Sequence, residues 1–166
     1  MLKLPTDPRA AAFKAVRSRL RNDPVLSSVG IRFFNKHPDK PTLDNLPYVV
    51  VGMKAGAIDV ATPNSHDATM VIGIDYVVNA AGADEDTAWE DGTNLYGQLE
   101  KAIHPFGSIE WLTGPIQAVA PSVSVRGMPR FSQQGFATIP MSDVNAIGGS
   151  CTFSITLRIN TCRGSS

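Results

Sequence analysis

The chain has 166 residues, 43% hydrophobic and 18% charged, and its 15 basic and 15 acidic side chains cancel to a formal net charge of zero. That length fits one domain (1–166) able to bury its own core, and the neutral balance argues against a dedicated nucleic-acid binder. No apolar run approaches the roughly 20 residues that span a bilayer, residues 1–8 lack the apolar core of a secretory signal, and Cys151 and Cys162 match no zinc or redox spacing, so two reduced thiols are expected.

The charge is sorted along the chain. Residues 1–40 hold nine Lys/Arg against three Asp/Glu, 41–104 ten acidic against two basic, and 105–166 four basic against two acidic. Such sorting suits subunits whose basic face meets another copy's acidic face; a monomer that keeps both faces solvated satisfies it equally.

The first element reads as a helix. Asp7 caps it, Pro8 suits its first turn and Asp23-Pro24 stops it. Phe13, Val16 and Leu20 form a narrow apolar stripe, which places the helix on a surface, with Arg9, Lys14, Arg17, Arg19 and Arg21 around the rest. Short apolar runs at 30–34 and 48–53 read as strands, divided by a loop in which Pro38, Pro41 and Pro47 forbid regular structure. A turn cluster at 64–67 precedes the strand 69–79, where Ile72, Ile74, Tyr76 and Val78 share one face and Gly73, Asp75 and Asn79 the other.

Residues 83–104 read as the second helix. Asp84, Glu85 and Asp86 suit its positive end, Glu90 and Asp91 extend the acidic patch, and Trp89, Tyr96, Leu99 and Ile103 supply a wide stripe to cover the sheet. Residues 109–112 and 116–125 are apolar enough for strands, interrupted at Pro115 and Pro121, and 126–149 reads as an arm or pair of loops with a short apolar stretch at 136–141. The cleanest alternation closes the chain. Cys151, Phe153, Ile155, Leu157 and Ile159 oppose Thr152, Ser154, Thr156, Arg158 and Asn160. The expected class is α+β: a mostly antiparallel, mixed sheet of about four to five strands, covered on one face by two main helices, with 107–149 an extended arm or insertion.

Catalysis needs convergent groups, and few stand out. His37, His66 and His104 are isolated, without the i,i+4 spacing of a metal site, and read as ordinary surface histidines in loops or at a helix end. Asp39, Asp44, Asp59 and Asp67 are scattered, and Asp84-Glu85-Asp86 lacks the glycine and distal glutamate of a calcium loop. There is no Gly-x-Ser-x-Gly elbow and no phosphate-binding glycine loop. Cys151 falls on the apolar face of its strand and reads as structural. No catalytic residue, metal or cofactor is expected.

The order of elements resembles the tail terminator, or tail-completion, proteins of long-tailed bacteriophages. The resemblance is carried by the basic helix running into Arg17-Ser-Arg-Leu-Arg-Asn-Asp-Pro-Val-Leu26, by Leu46-Pro-Tyr-Val-Val-Val-Gly52, by the strand 71–79, and by an acidic helix ending near Ile103-His104. It covers about 10–104 and 151–160; the segment 107–149 is longer than the family pattern. It implies a non-enzymatic virion protein, assembled in the host cytoplasm, that forms a hexameric ring on the last ring of the tail tube. Such a ring stops tube growth and docks to the head.

The implied partners are further copies of the chain, the tail tube protein and head-completion or stopper proteins of the neck. No membrane is implied, and DNA would only pass through the lumen. A closed ring needs two complementary patches on each subunit; Arg9, Lys14, Arg17, Arg19 and Arg21 against Asp84, Glu85, Asp86, Glu90 and Asp91 are the candidates, and backbone pairing at a sheet edge is a second route. Alternative readings are another neck component (an adaptor or stopper), a minor tail protein, and a small α+β hydrolase without a motif.

Overall fold

The computed structural model describes residues 6–38, 42–62, 64–79, 85–103, 108–140 and 145–160. Helix α1 (Pro8–Arg21) starts where its signals place it, with the Asp7 carboxylate accepting the Arg9 amide at 2.7 Å and Pro8 in the first turn. Asp23 then does two jobs. It follows the end of α1, and its Oδ1 accepts the amides of Val25 and Leu26 at 3.0 and 2.9 Å to cap a short helix not foreseen from the sequence, α2 (Pro24–Ser28).

Val16 and Leu20 are buried as expected, but Ala11, Ala12 and Ala15 are buried too. The alanines widen the narrow stripe, and α1 packs closely on two other helices, α3 (Glu85–Ile103) and α4 (Glu110–Val119).

Among the described residues six strands make one mixed sheet. Strand β1 (Arg32–Phe34) runs parallel to the start of β2 (Tyr48–Thr62), and β2 and β3 (Ser65–Asn79) form a long antiparallel hairpin. Strand β6 (Asn145–Asn160) pairs antiparallel with β3 along its whole length. The far edge of β6 is shared by β4 (Val123–Val125) near one end and β5 (Arg130–Pro140) along the rest, both antiparallel to it.

The helices lie on one face of this sheet. Ile72, Ile74 and Tyr76 of β3 and Cys151, Phe153, Ile155 and Leu157 of β6 meet Leu20, Leu99, Ile103, Leu112 and Ile116 in one core. Burying a side chain the size of Leu or Phe contributes roughly 1.5–3 kcal/mol, so the two alternating strands and the helical stripes supply the main driving force. On the opposite face the strands show Thr69, Asp75, Ser154 and Thr156, with one small apolar group, Tyr48, Val50, Val77 and Ala146, at the end near β1.

Four expectations change. Residues 109–112 and 116–125 are not two strands: α4 occupies most of the interval, with Pro115 inside it, and only Val123–Val125 is extended. Leu112 and Ile116, four apart and both buried, anchor α4 in the core, and that packing outweighs the bond the proline removes.

The segment 126–149 is no arm or pair of loops over its described part; β5 folds back onto β6, and 141–144 lies outside the described residues. Strand β2 continues past residue 53 to Thr62, and β3 already begins at Ser65, so only Asn64 of the expected turn cluster is in a turn and His66 sits in a strand. A third helix, α4, joins the two expected to cover the sheet.

Candidate functional site

The five predicted cations of α1 separate into two kinds. Arg9 is tied to its own helix cap, with Nε and Nη2 donating to the two Asp7 oxygens at 2.9 and 2.7 Å; this bonding holds the Asp7 carboxyl below its ordinary value against the opposing effect of burial. Arg19 is used inside the subunit. Its Nε donates to the Ala102 carbonyl at 3.0 Å, in the last turn of α3, and its guanidinium lies 5.7 Å from the centre of the Trp111 ring. That contact satisfies a helix-end carbonyl and sets a cation at the negative end of the α3 dipole.

Lys14, Arg17 and Arg21 remain. They line one open hollow of about 510 Å³ together with Phe13, Ser18 and Asn22. Arg17 stacks over Phe13 and donates to Asn35, and none of the three makes an ion pair among the described residues. On α3, Asp86, Glu90 and Asp91 are exposed and likewise make no ion pair among the described residues. Asp84 and the Glu85 side chain lie outside them. The structure therefore keeps two patches of opposite sign on different helices, narrower than the sequence suggested.

Two polar networks missed by the sequence reading lie on the open face of the sheet. Asp75 accepts from the Ser150 hydroxyl at 2.6 Å, meets Lys54 Nζ at 3.3 Å, and faces His37 Nε2 at 3.1 Å. His37 Nδ1 lies 3.4 Å from the Tyr48 hydroxyl. Burial raises the Asp75 pKa, but Ser150, His37 and Lys54 together outweigh it, so the carboxyl stays below its ordinary value. Gly73 makes room for this arrangement, since a Cβ there would fall inside the Lys54 stem.

Ser, His and Asp thus meet, but the carboxylate sits between the other two. The imidazole is not placed to take the serine proton, which is what nucleophilic catalysis asks of such a set. The geometry makes a latch tying the 35–37 segment and the kink of β2 to the centre of the sheet.

Asp67 anchors the second network. Arg158 donates to both its oxygens at 2.8 and 2.9 Å, and Arg126 adds a further pair, joining β3, β6 and the turn after β4. Asp67 is thus held by two arginines. Among the described residues no group of three or more His, Cys, Asp or Glu gathers in a way that would hold a metal ion. Asp39, His104 and Cys162 lie outside the described residues, as does the Asp59 side chain.

Cys151 is buried and free, donates to the Ile74 carbonyl at 3.4 Å, and burial pushes its pKa up to about 12. It is a packed core thiol, as its strand position implies.

A groove of about 540 Å³ runs between α2 and α3; the exposed Val25 and Val29 form one wall, and Asp91 and Lys101 stand on the other. No helix among the described residues is long and apolar enough to cross a membrane.

Only three-dimensional pairing reveals the two networks: Asp75 is 38 residues from His37 and 75 from Ser150. The available signal was weaker, namely Asp75 on the polar face of a strand whose other face carries Ile72, Ile74, Tyr76 and Val78. No protein-family model matches this sequence, and no curated protein matches it.

Proposed function

We propose that this chain is a structural virion protein of the tail-terminator kind, closing into a homo-oligomeric, hexameric ring at the head-proximal end of a long phage tail tube. In that place it halts tube growth and presents the surface on which the neck proteins dock. The observation that carries the reading is the pair of unlike patches, Lys14, Arg17 and Arg21 on α1 and Asp86, Glu90 and Asp91 on α3, exposed except for the half-buried Arg17 and not neutralised by an ion pair among the described residues. Unlike patches on one subunit suit head-to-tail contacts, which close into a ring when the rotation between copies divides the circle evenly. Support also comes from the helix-covered mixed sheet, whose element order is the one on which the sequence resemblance rests.

The test is native mass measurement and negative-stain imaging of the purified protein, alone and with tail tubes. A six-membered ring, free or capping tube ends, is the expected result. A monomer that ignores tubes overturns the proposal.

A further inference from the structure

The sheet leaves two long backbone edges without a partner among the described residues. Strand β2 has fifteen residues, and β1 pairs only with its first three, Tyr48 to Val50. Strand β5 has eleven residues and pairs only with β6. An unpaired strand offers a row of amide donors and carbonyl acceptors to any other strand, so natural edges are usually blunted by charges, prolines or bulges.

These two edges are blunted only in part. Beyond the bulge between Met53 and Ala55, β2 carries a single charged residue, Asp59, and leaves Ile58 58% exposed. Lys54, at the bulge, is turned inward onto Asp75 rather than out along the edge. Strand β5 carries one charge, Arg130 at its start, with a bulge between Gln133 and Gly135 and Pro140 at its end.

The senses of the strands decide which edges fit. Strand β3 runs against β2, β6 against β3, and β5 against β6, so β5 runs opposite to β2. When such a unit is repeated by rotation about a ring axis, each copy's β5 comes beside the next copy's β2 in opposite senses. That is the antiparallel ladder, the more stable pairing.

The levels coincide only in part. Carried across the ladders, the free part of β2 lies level with residues 151–160 of β6, and β5 lies level with 145–154. The two edges overlap over only part of their length, so a longer ladder staggers successive copies along the strands. Stagger tilts strands against the axis, which a closed sheet requires.

We infer that the ring contact is made by the backbone: the open edge of β5 in one copy pairs antiparallel with the open edge of β2, beyond Val50, in the next. This rests on the ring reading above and specifies its partner surface as a second copy of this chain. The charged helix patches then orient approach, while the ladder and the covering of Ile58 hold the contact.

The test is disulfide scanning of the full chain in a Cys162→Ser background. Single cysteines replace Met53, Ala57 or Ile58 in one set of chains and Ser132, Ala137 or Thr138 in another, and the sets are mixed before oxidation. Cross-links between the sets, at positions consistent with one antiparallel register, are expected. In parallel, Ile58→Lys should keep the wild-type circular dichroism and, at a concentration where the chain is monomeric, the wild-type melting temperature. It should raise the concentration at which the oligomer dissociates by about tenfold or more, equivalent to ~1.4 kcal/mol or more.

A ring that forms without any cross-link between the sets, and that tolerates Ile58→Lys, overturns the edge pairing and leaves the ring reading in place. Cross-links only within one set show like edges meeting about a twofold axis and overturn it too. A monomer under all conditions removes the ring reading and this contact together.

Discussion

Replacing Arg19 separates a residue that holds the subunit together from one that holds subunits to each other. Its Nε–H···O=C bond to Ala102 is charge-assisted and part-buried at 3.0 Å, and its guanidinium faces Trp111 at 5.7 Å. Hydrogen bonds to charged groups contribute about 1.5–3 kcal/mol, and exposed cation–π contacts ~0.5–1 kcal/mol. Arg19 itself is exposed, so solvent screening brings the sum to about 1–2 kcal/mol. For a chain of this size each kcal/mol moves the midpoint of melting by about 2–4 °C.

Arg19→Ala is therefore expected to lower Tm by about 2–8 °C in differential scanning calorimetry at a concentration where the chain is monomeric. Arg19→Lys should recover less than half of that loss, because an ammonium lacks the planar stack and the Nε donor. An unchanged Tm combined with a weakened oligomer would refute the reasoning and return Arg19 to the intersubunit patch.

Three further outcomes follow from the same geometry. Reversing Lys14, Arg17 and Arg21 to Glu should weaken assembly, read by analytical ultracentrifugation, and reversing Asp86, Glu90 and Asp91 to Lys in the same chain should partly restore it; wild-type assembly should weaken with added salt. The folded Asp75 pKa lies below its ordinary value, so its stabilisation is fully present above about pH 4 and is lost as pH falls through the folded value. The urea-denaturation gap between wild type and Asp75→Asn should accordingly shrink on going from neutral to acid conditions, and a gap that widens would contradict the assignment. Phe153→Ala empties a fully buried site at the centre of β6 and should cost about 3–5 kcal/mol in the same assay.

The parts of the fold legible in advance are those where one face is buried and nothing interrupts the period. Strand β6 reads from Cys151 to Ile159 because each alternate residue enters the core, and α3 reads because its stripe covers a sheet. Strand β5 was hidden by its bulge after Gln133, which shifts the inside–outside phase halfway along. The distal half of β2 was hidden for a different reason. Although it pairs with buried residues of β3, Gly56, Ala57 and Ile58 are themselves all exposed on this outer strand, so burial imposes no period on the sequence. Helix α4 was misread because Ile116, Val119 and Pro115 favour extended chain locally, while Leu112 and Ile116 are held by tertiary packing. As for the candidate site, both charged helices were legible from composition. The separation of Arg19 from Lys14, Arg17 and Arg21 was not, because it depends on where the end of α3 lies.

Gly73 offers a test of how tightly the sheet's polar face is organised. In an extended strand, Gly→Ala ordinarily stabilises by roughly 0.4–1 kcal/mol by restricting the unfolded chain. Here the new Cβ would fall inside the Lys54 stem, and Lys54 must leave Asp75 and Ser150 to make room. The stem is flexible, so the backbone need not move and the loss is confined to exposed polar contacts of about 0–1 kcal/mol. The two effects nearly cancel, and Gly73→Ala alone should change stability little. In a Lys54→Ala background the obstruction is gone, and the same substitution should stabilise by its full ~0.4–1 kcal/mol. The cycle of the two single variants and the double variant, followed by urea denaturation, should therefore show a coupling of about 0.4–1 kcal/mol. Strict additivity would mean that Lys54 does not lie over Gly73, and the latch joining His37, Asp75 and Ser150 would lose its link to β2.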